Sequence, residues 1–140
     1  MLRQSSGRLD VAAPRQGLHE ITDDVARWLQ GQDFASGLLT LFCRHTSASL
    51  LVQENAAPAA RRDLESYFNR IAPEDGSLYS HNDEGPDDMP AHLRTALTQT
   101  QLSIPVEEGR MLLGTWQGIY LFEHRREPPR REIVLHMVGE

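Results

Sequence analysis

Between Ser103 and Val138 the chain has little choice but to run back and forth as strands. The stretch "SIPVEEGRMLLGTWQGIYLFEHRREPPRREIVLHMV" sets short apolar runs between turn-forming residues. "SIPV" and "RMLLGT" flank "EEG", the signature of a tight hairpin. "GIYLFEH" and "EIVLHMV" follow, separated by "RREPPRR", a proline-containing turn too stiff to be helical. Paired glycines in "GTWQG" predict a bulge or a close backbone approach around Trp116. Such a block needs an antiparallel sheet.

Upstream, the period changes. Ile21, Val25, Trp28 and Leu29 recur at helical spacing, with Thr22 placed to cap and Asp23 and Asp24 in the first turn. "PAARRDLESYFNRI" puts Leu64, Tyr67, Phe68 and Ile71 on one face, and Met89, Leu93, Ala96 and Leu97 do the same in a third helix. "RLDVA", "GLLTLFCRH" and "SLLVQE" read as strands, the last two joined by a bend at 46 to 48. Residues 72 to 88 form a long polar loop, a length that in a compact domain usually serves function. Three helices and about seven strands predict one α+β domain over residues 1–140, mainly antiparallel.

Composition removes several chemistries. The 140 residues carry a formal charge of −6, without the basic stripe that a phosphate backbone requires, so a nucleic-acid partner is not expected. All 14 cationic side chains are arginine, which excludes a Schiff-base lysine and a Walker-type phosphate lysine. The single cysteine, Cys43, sits in an apolar strand and reads as core. No apolar run has the length of a membrane span, and the N-terminus lacks a hydrophobic signal core; a cytoplasmic protein without a membrane partner is the expectation. Any bound metal must be held by histidine and carboxylate.

Histidine candidates lie in separate segments. "SHNDEGPDDMPAH" contains His81 and His92, the latter bordering the apolar stripe of the third helix. His45 ends a buried strand just before Thr46 and Ser47, where rigid scaffold meets loop. Three neutral imidazoles with an open fourth position suit a catalytic zinc-type site, although no spacing rule forces them together. Asp87 and Asp88 precede a helix and read mainly as caps, and Asp83 and Glu84 as solvated acids. Glu54, closing an apolar strand, fits either a general base or a solvated strand-end acid, and Asn55 fits a helix cap. Glu123 shares a strand face with Ile119 and Leu121 and needs a partner, for which Arg131 is placed. His19, His124 and His136 have no clustered partners.

Together, "HTSASLLVQENA", "HNDEGPDDMPAH", "SIPVEEGRMLLGTWQGIYLFEHR" and the terminal "RREIV…VGE" resemble the YjbQ family, described as secondary thiamine-phosphate synthases. The resemblance runs from about residue 9 to 140. It departs at "LTQTQL", where the family commonly has Leu-Gly before the next strand. It implies a homotrimer with a histidine site near a subunit boundary, and places His45, His81 and His92 at the family's histidine positions. The implied activity joins a pyrimidinylmethyl diphosphate to a thiazole phosphate. On that reading the three histidines hold a divalent metal, zinc or magnesium, and Glu54 moves a proton. Thr46, Ser47, Asn55, Thr115, Gln117 and Arg131 then contact a small phosphorylated or anionic metabolite. A metal-dependent hydrolase and a non-catalytic binding protein for an anionic metabolite remain open alternatives.

Overall fold

The structure is a computed structural model describing residues 1–140. Eight strands form two sheets. The larger runs in the order β1 (Arg3–Val11), β8 (Arg131–Gly139), β3 (Gly37–Cys43), β5 (Gln101–Glu107), β6 (Arg110–Met111). The smaller is β2 (Gly17–Glu20), β7 (Gln117–Glu123), β4 (Ala48–Glu54). Every pairing is antiparallel. The helices are α1 (Thr22–Gln32), α2 (Pro58–Ile71) and α3 (Asp88–Leu97). None is long and apolar enough to cross a membrane.

Period-two burial on β3 and β8 turns Leu39, Leu41, Cys43, Ile133, Leu135 and Met137 inward. They meet Ala48, Leu50, Ile119 and Leu121 of the smaller sheet, and Ile21, just before α1, with Val25 and Leu29 of α1, closes the core. Cys43 is a core residue as expected, its thiol pushed up to about 11 by burial. On the far side of the smaller sheet, Leu18, Tyr120 and Phe122 receive Leu64 and Phe68 of α2. Covered on both faces, β7 is buried from Gly118 to Glu123. Tyr67 and Ile71, expected on the packing face of α2, are exposed instead.

The Glu108-Gly109 hairpin forms as predicted: both residues have positive φ, the requirement of a two-residue primed turn, and glycine takes the second place without strain. The "RREPPRR" connection is different. It joins β7 of one sheet to β8 of the other, so it crosses between layers rather than closing a hairpin. Thr22 does not cap α1 through its side chain; its hydroxyl accepts from the Ile119 N–H and donates to Glu20. At Gly118 a Cβ would stand 2.5 Å from a Glu20 carboxylate oxygen, so the close neighbour of this glycine is a side chain and not the backbone that the paired glycines predicted.

Candidate metal centre

Four potential ligand side chains converge where the 72–88 loop enters α3. One donor atom each from His81, Glu84, Asp88 and His92 lies within 4.8 Å of the others. Asp88 and His92, four apart on one helix, share a face. His81 reaches them from the loop, its ring centroid 6.0 Å from that of His92. Asp88 is the anchor, only 1% exposed, and its Oδ2 lies 2.9 Å from His81 Nε2 and 3.3 Å from His92 Nε2.

Proton placement on His92 is decided by its neighbour. Nδ1 stands 2.8 Å from the Thr46 carbonyl oxygen, which can only accept, so Nδ1 carries the proton. In the neutral ring Nε2 is then a lone pair pointed at the carboxylate oxygen of Asp88. Two acceptors 3.3 Å apart call for a cation between or upon them. Ligands about 2.1 Å from a tetrahedral ion stand about 3.4 Å apart, so the observed spacing suits a shared metal. The backbone bond to Nδ1 is also the usual way a ligating imidazole is oriented.

Arg125 holds the carboxylates in place. Its Nη1 donates to Asp88 Oδ1 at 2.8 Å, its Nε to Asp87 Oδ2 at 3.0 Å, and its Nη2 to the Glu84 carbonyl at 3.0 Å. Burial opposes charge on Asp88, but His92, His81 and Arg125 outweigh it and keep the carboxyl below the usual carboxylate range. The same balance holds for Asp87, where the Arg126 N–H and Arg125 overcome burial. Asp87, expected as a cap, makes no side-chain cap bond to α3. Glu84 is exposed, as expected, yet lies within reach of the cluster, and Asp88, expected to cap, is buried in it. The i,i+4 spacing of Asp88 and His92 was the signal that could have found Asp88.

His45 is not in this cluster. Its Nε2 accepts the Glu132 N–H at 2.8 Å, which uses the one lone pair of the neutral ring. Burial and the charge of Arg131 lower its basicity, so the ring stays neutral. In this arrangement it offers a metal nothing. Arg131 is likewise spoken for: 2% exposed, it donates through Nε to Glu123 Oε1 at 2.6 Å and through Nη2 to the Ser47 carbonyl. The expected ion pair with Glu123 is present, and a phosphate-binding role would require breaking it.

The other expected site residues fall into two groups. Thr46 and Ser47 lie at the histidine end of β4, each using its carbonyl. Glu54, Asn55, Thr115 and Gln117 lie at the opposite end, where Glu54 pairs with Gln117 in register. The seven-residue β4 separates the ends by about 20 Å. Glu54 Oε2 accepts the N–H groups of Ala56 and Ala57 leading into α2, Asn55 donates to Glu20 at 3.1 Å, and Gln117 accepts from the Gly114 N–H. Thr115 is exposed. Within one chain, Glu54 cannot serve the histidine cluster.

This architecture has close counterparts. Residues 7–140 match the family model described as "UPF0047 protein YjbQ-like". A UPF0047 protein of Synechocystis sp. is 47% identical over 99% of this chain and 94% of its own length. YjbQ of Escherichia coli O157:H7 is 42% identical over 94% and 96%. A conserved hypothetical protein from Thermus thermophilus, 36% identical, superposes with a TM-score of 0.81 over 92% of this chain and 97% of that one. A YbjQ-like protein of unknown function from Sulfolobus solfataricus, at 22% identity, shares the fold over both full lengths with a TM-score of 0.87. With sequence and fold agreeing along nearly its whole length, the chain belongs to the YjbQ-like UPF0047 family.

Proposed function

We propose that the protein is a divalent-metal-dependent enzyme acting on a small phosphorylated or otherwise anionic metabolite, with His81, Glu84, Asp88 and His92 as the metal-binding residues. One observation carries this reading: His92 Nε2, its Nδ1 turned to the Thr46 carbonyl, stands 3.3 Å from Asp88 Oδ2 within a cluster that also holds His81 and Glu84. Two imidazoles in the donor set favour zinc over magnesium, which prefers oxygen ligands and water. Exposure of His81 and Glu84 leaves that side of the site open to a substrate. When bound, the metal would supply charge neutralisation for a departing diphosphate or activation of a water. Of these, the family resemblance favours thiamine-phosphate synthesis, the joining of a pyrimidinylmethyl group to a thiazole phosphate.

A homotrimer is part of the proposal. The outward face of the larger sheet bears Leu38, 45% exposed, Phe42, 48% exposed, and Val138, an apolar surface that a second copy would cover. Assembly is also the one route by which Glu54, with Asn55, Thr115 and Gln117, could meet a neighbouring copy's histidines. A hydrolytic reaction in a cytoplasmic enzyme is the second reading, favoured by the same open metal face.

Elemental analysis of protein purified without chelators tests the metal assignment. A near-stoichiometric divalent ion, lost in His92→Ala, supports it; a metal content far below one per chain overturns it.

A further inference from the structure

On the other side of α3 lies a group that the metal cluster does not use. Residues two apart on a helix point about 200° away from each other, so Arg94 is directed away from His92. Its side chain is only 3% exposed. Of its five N–H donors, one bond is made, from Nη2 to the Ala72 carbonyl at 2.7 Å, and the fully buried Nε has no partner. No carboxylate pairs with it: Glu74 is taken by Arg126, and Asp87 by Arg125. A buried guanidinium without a counter-ion is expensive, and a native protein that keeps one usually has something to set against it.

Arg94 also lines two adjoining cavities, of about 190 and 290 Å³, that share Gln16 and Asn69. That is room for a small molecule rather than a single water. The smaller has aromatic walls, Phe68 and Phe122, whose rings meet edge to face at 5.2 Å. Glu65 lines the smaller cavity, so a dianionic phosphate would meet there a repulsion that a single negative charge largely escapes, whereas Glu74 in the larger one is neutralised by Arg126. Charge at one end and aromatic carbon at the other define the occupant.

We infer that this cavity between α2, α3 and β7 binds a small monocarboxylate, its carboxylate on Arg94 and its apolar body against Phe68 and Phe122. The site stands apart from the metal cluster and does not depend on the reaction proposed there. Arginine donates strongly to carboxylates, and Nη1, which makes no bond within the chain, is the nitrogen left to meet one; the orphaned Nε is closed off from the cavity.

The probe is 3-methylbutanoate, titrated calorimetrically into the full-length protein, with neutral 3-methylbutanamide and inorganic phosphate as comparisons. The carboxylate should bind roughly 10- to 100-fold more tightly than the amide, the discrimination expected of a charged hydrogen-bond partner, and phosphate should not compete. Arg94→Gln should abolish the preference. Because that variant removes a buried charge and could fail to fold, Asn69→Trp on the exposed surface of α2 provides a second reading: it fills the cavity mouth, leaves Arg94 in place, and should block binding while metal content is unchanged. Equal binding of acid and amide, no binding of the acid at millimolar concentration, binding undisturbed in Asn69→Trp, or displacement by phosphate would each overturn the proposal.

Discussion

His92 stands between Thr46 and Asp88: the imidazole Nδ1 is 2.8 Å from the Thr46 carbonyl oxygen, and Nε2 is 3.3 Å from Asp88 Oδ2. Asp88→Asn removes the charge and leaves the shape. Zinc affinity, measured by competition against a chromophoric chelator, should fall at least about 10- to 100-fold, the loss usual even for groups that only orient a ligand. Unchanged affinity would remove Asp88 from the site.

Glu123 and Arg131 form an ion pair at the end of the core, with Ser47 holding the guanidinium's other edge. Arg131→Met strips the pair of its cation and strands a buried carboxylate. Unfolding in urea should show a loss of about 3–5 kcal/mol. Pairing the change with Glu123→Gln should recover much of it, since no charge is then left uncompensated. A single variant within about 1 kcal/mol of the parent would mean that the pair is not closed in solution.

Acid should weaken the fold through His124. Its ring is buried against Ser49, and burial, then the charges of Arg94 and Arg131, push it down to about 3. The folded ring therefore stays neutral over the window in which the unfolded chain, with an ordinary value of about 6.5, takes up a proton. The unfolded state binds more protons there, so stability falls as pH drops from about 6.5 towards 3, by on the order of 1 kcal/mol per unit. His124→Gln keeps an amide near Ser49 and cannot titrate. Denaturation at pH 7.5 and pH 5 should show a smaller acid loss in the variant; equal slopes would show that the ring is not held neutral.

What the sequence revealed and what it hid can be traced to single residues. The β5–β6 hairpin was readable because Gly109 sits where a primed turn needs positive φ. The β7–β8 crossing between layers was not legible, because alternation specifies that strands exist, and not which sheet each joins. His81 and His92 stood out by type, but Asp88 was hidden by its position: an acid before a helix has a ready explanation in capping. His45 misled for the converse reason. A histidine at a strand end resembles a ligand until the Glu132 N–H is seen to occupy its nitrogen.

Glu54 gives the test that joins chemistry to assembly. Its carboxylate organises the turn into α2 through Oε2, and a glutamine oxygen can accept the same two N–H bonds. Glu54→Gln should therefore change stability by less than about 1 kcal/mol and leave metal content intact, since the cluster lies at the far end of β4. In the proposed trimer the same variant should lower turnover by about 10²- to 10⁴-fold, the usual contribution of a positioned base. Light scattering on the same preparation reads the oligomer. A trimer whose Glu54→Gln form keeps full turnover confines this residue to its structural turn, and a monomer that nonetheless loses turnover would contradict the 20 Å separation seen within one chain, about the length of β4.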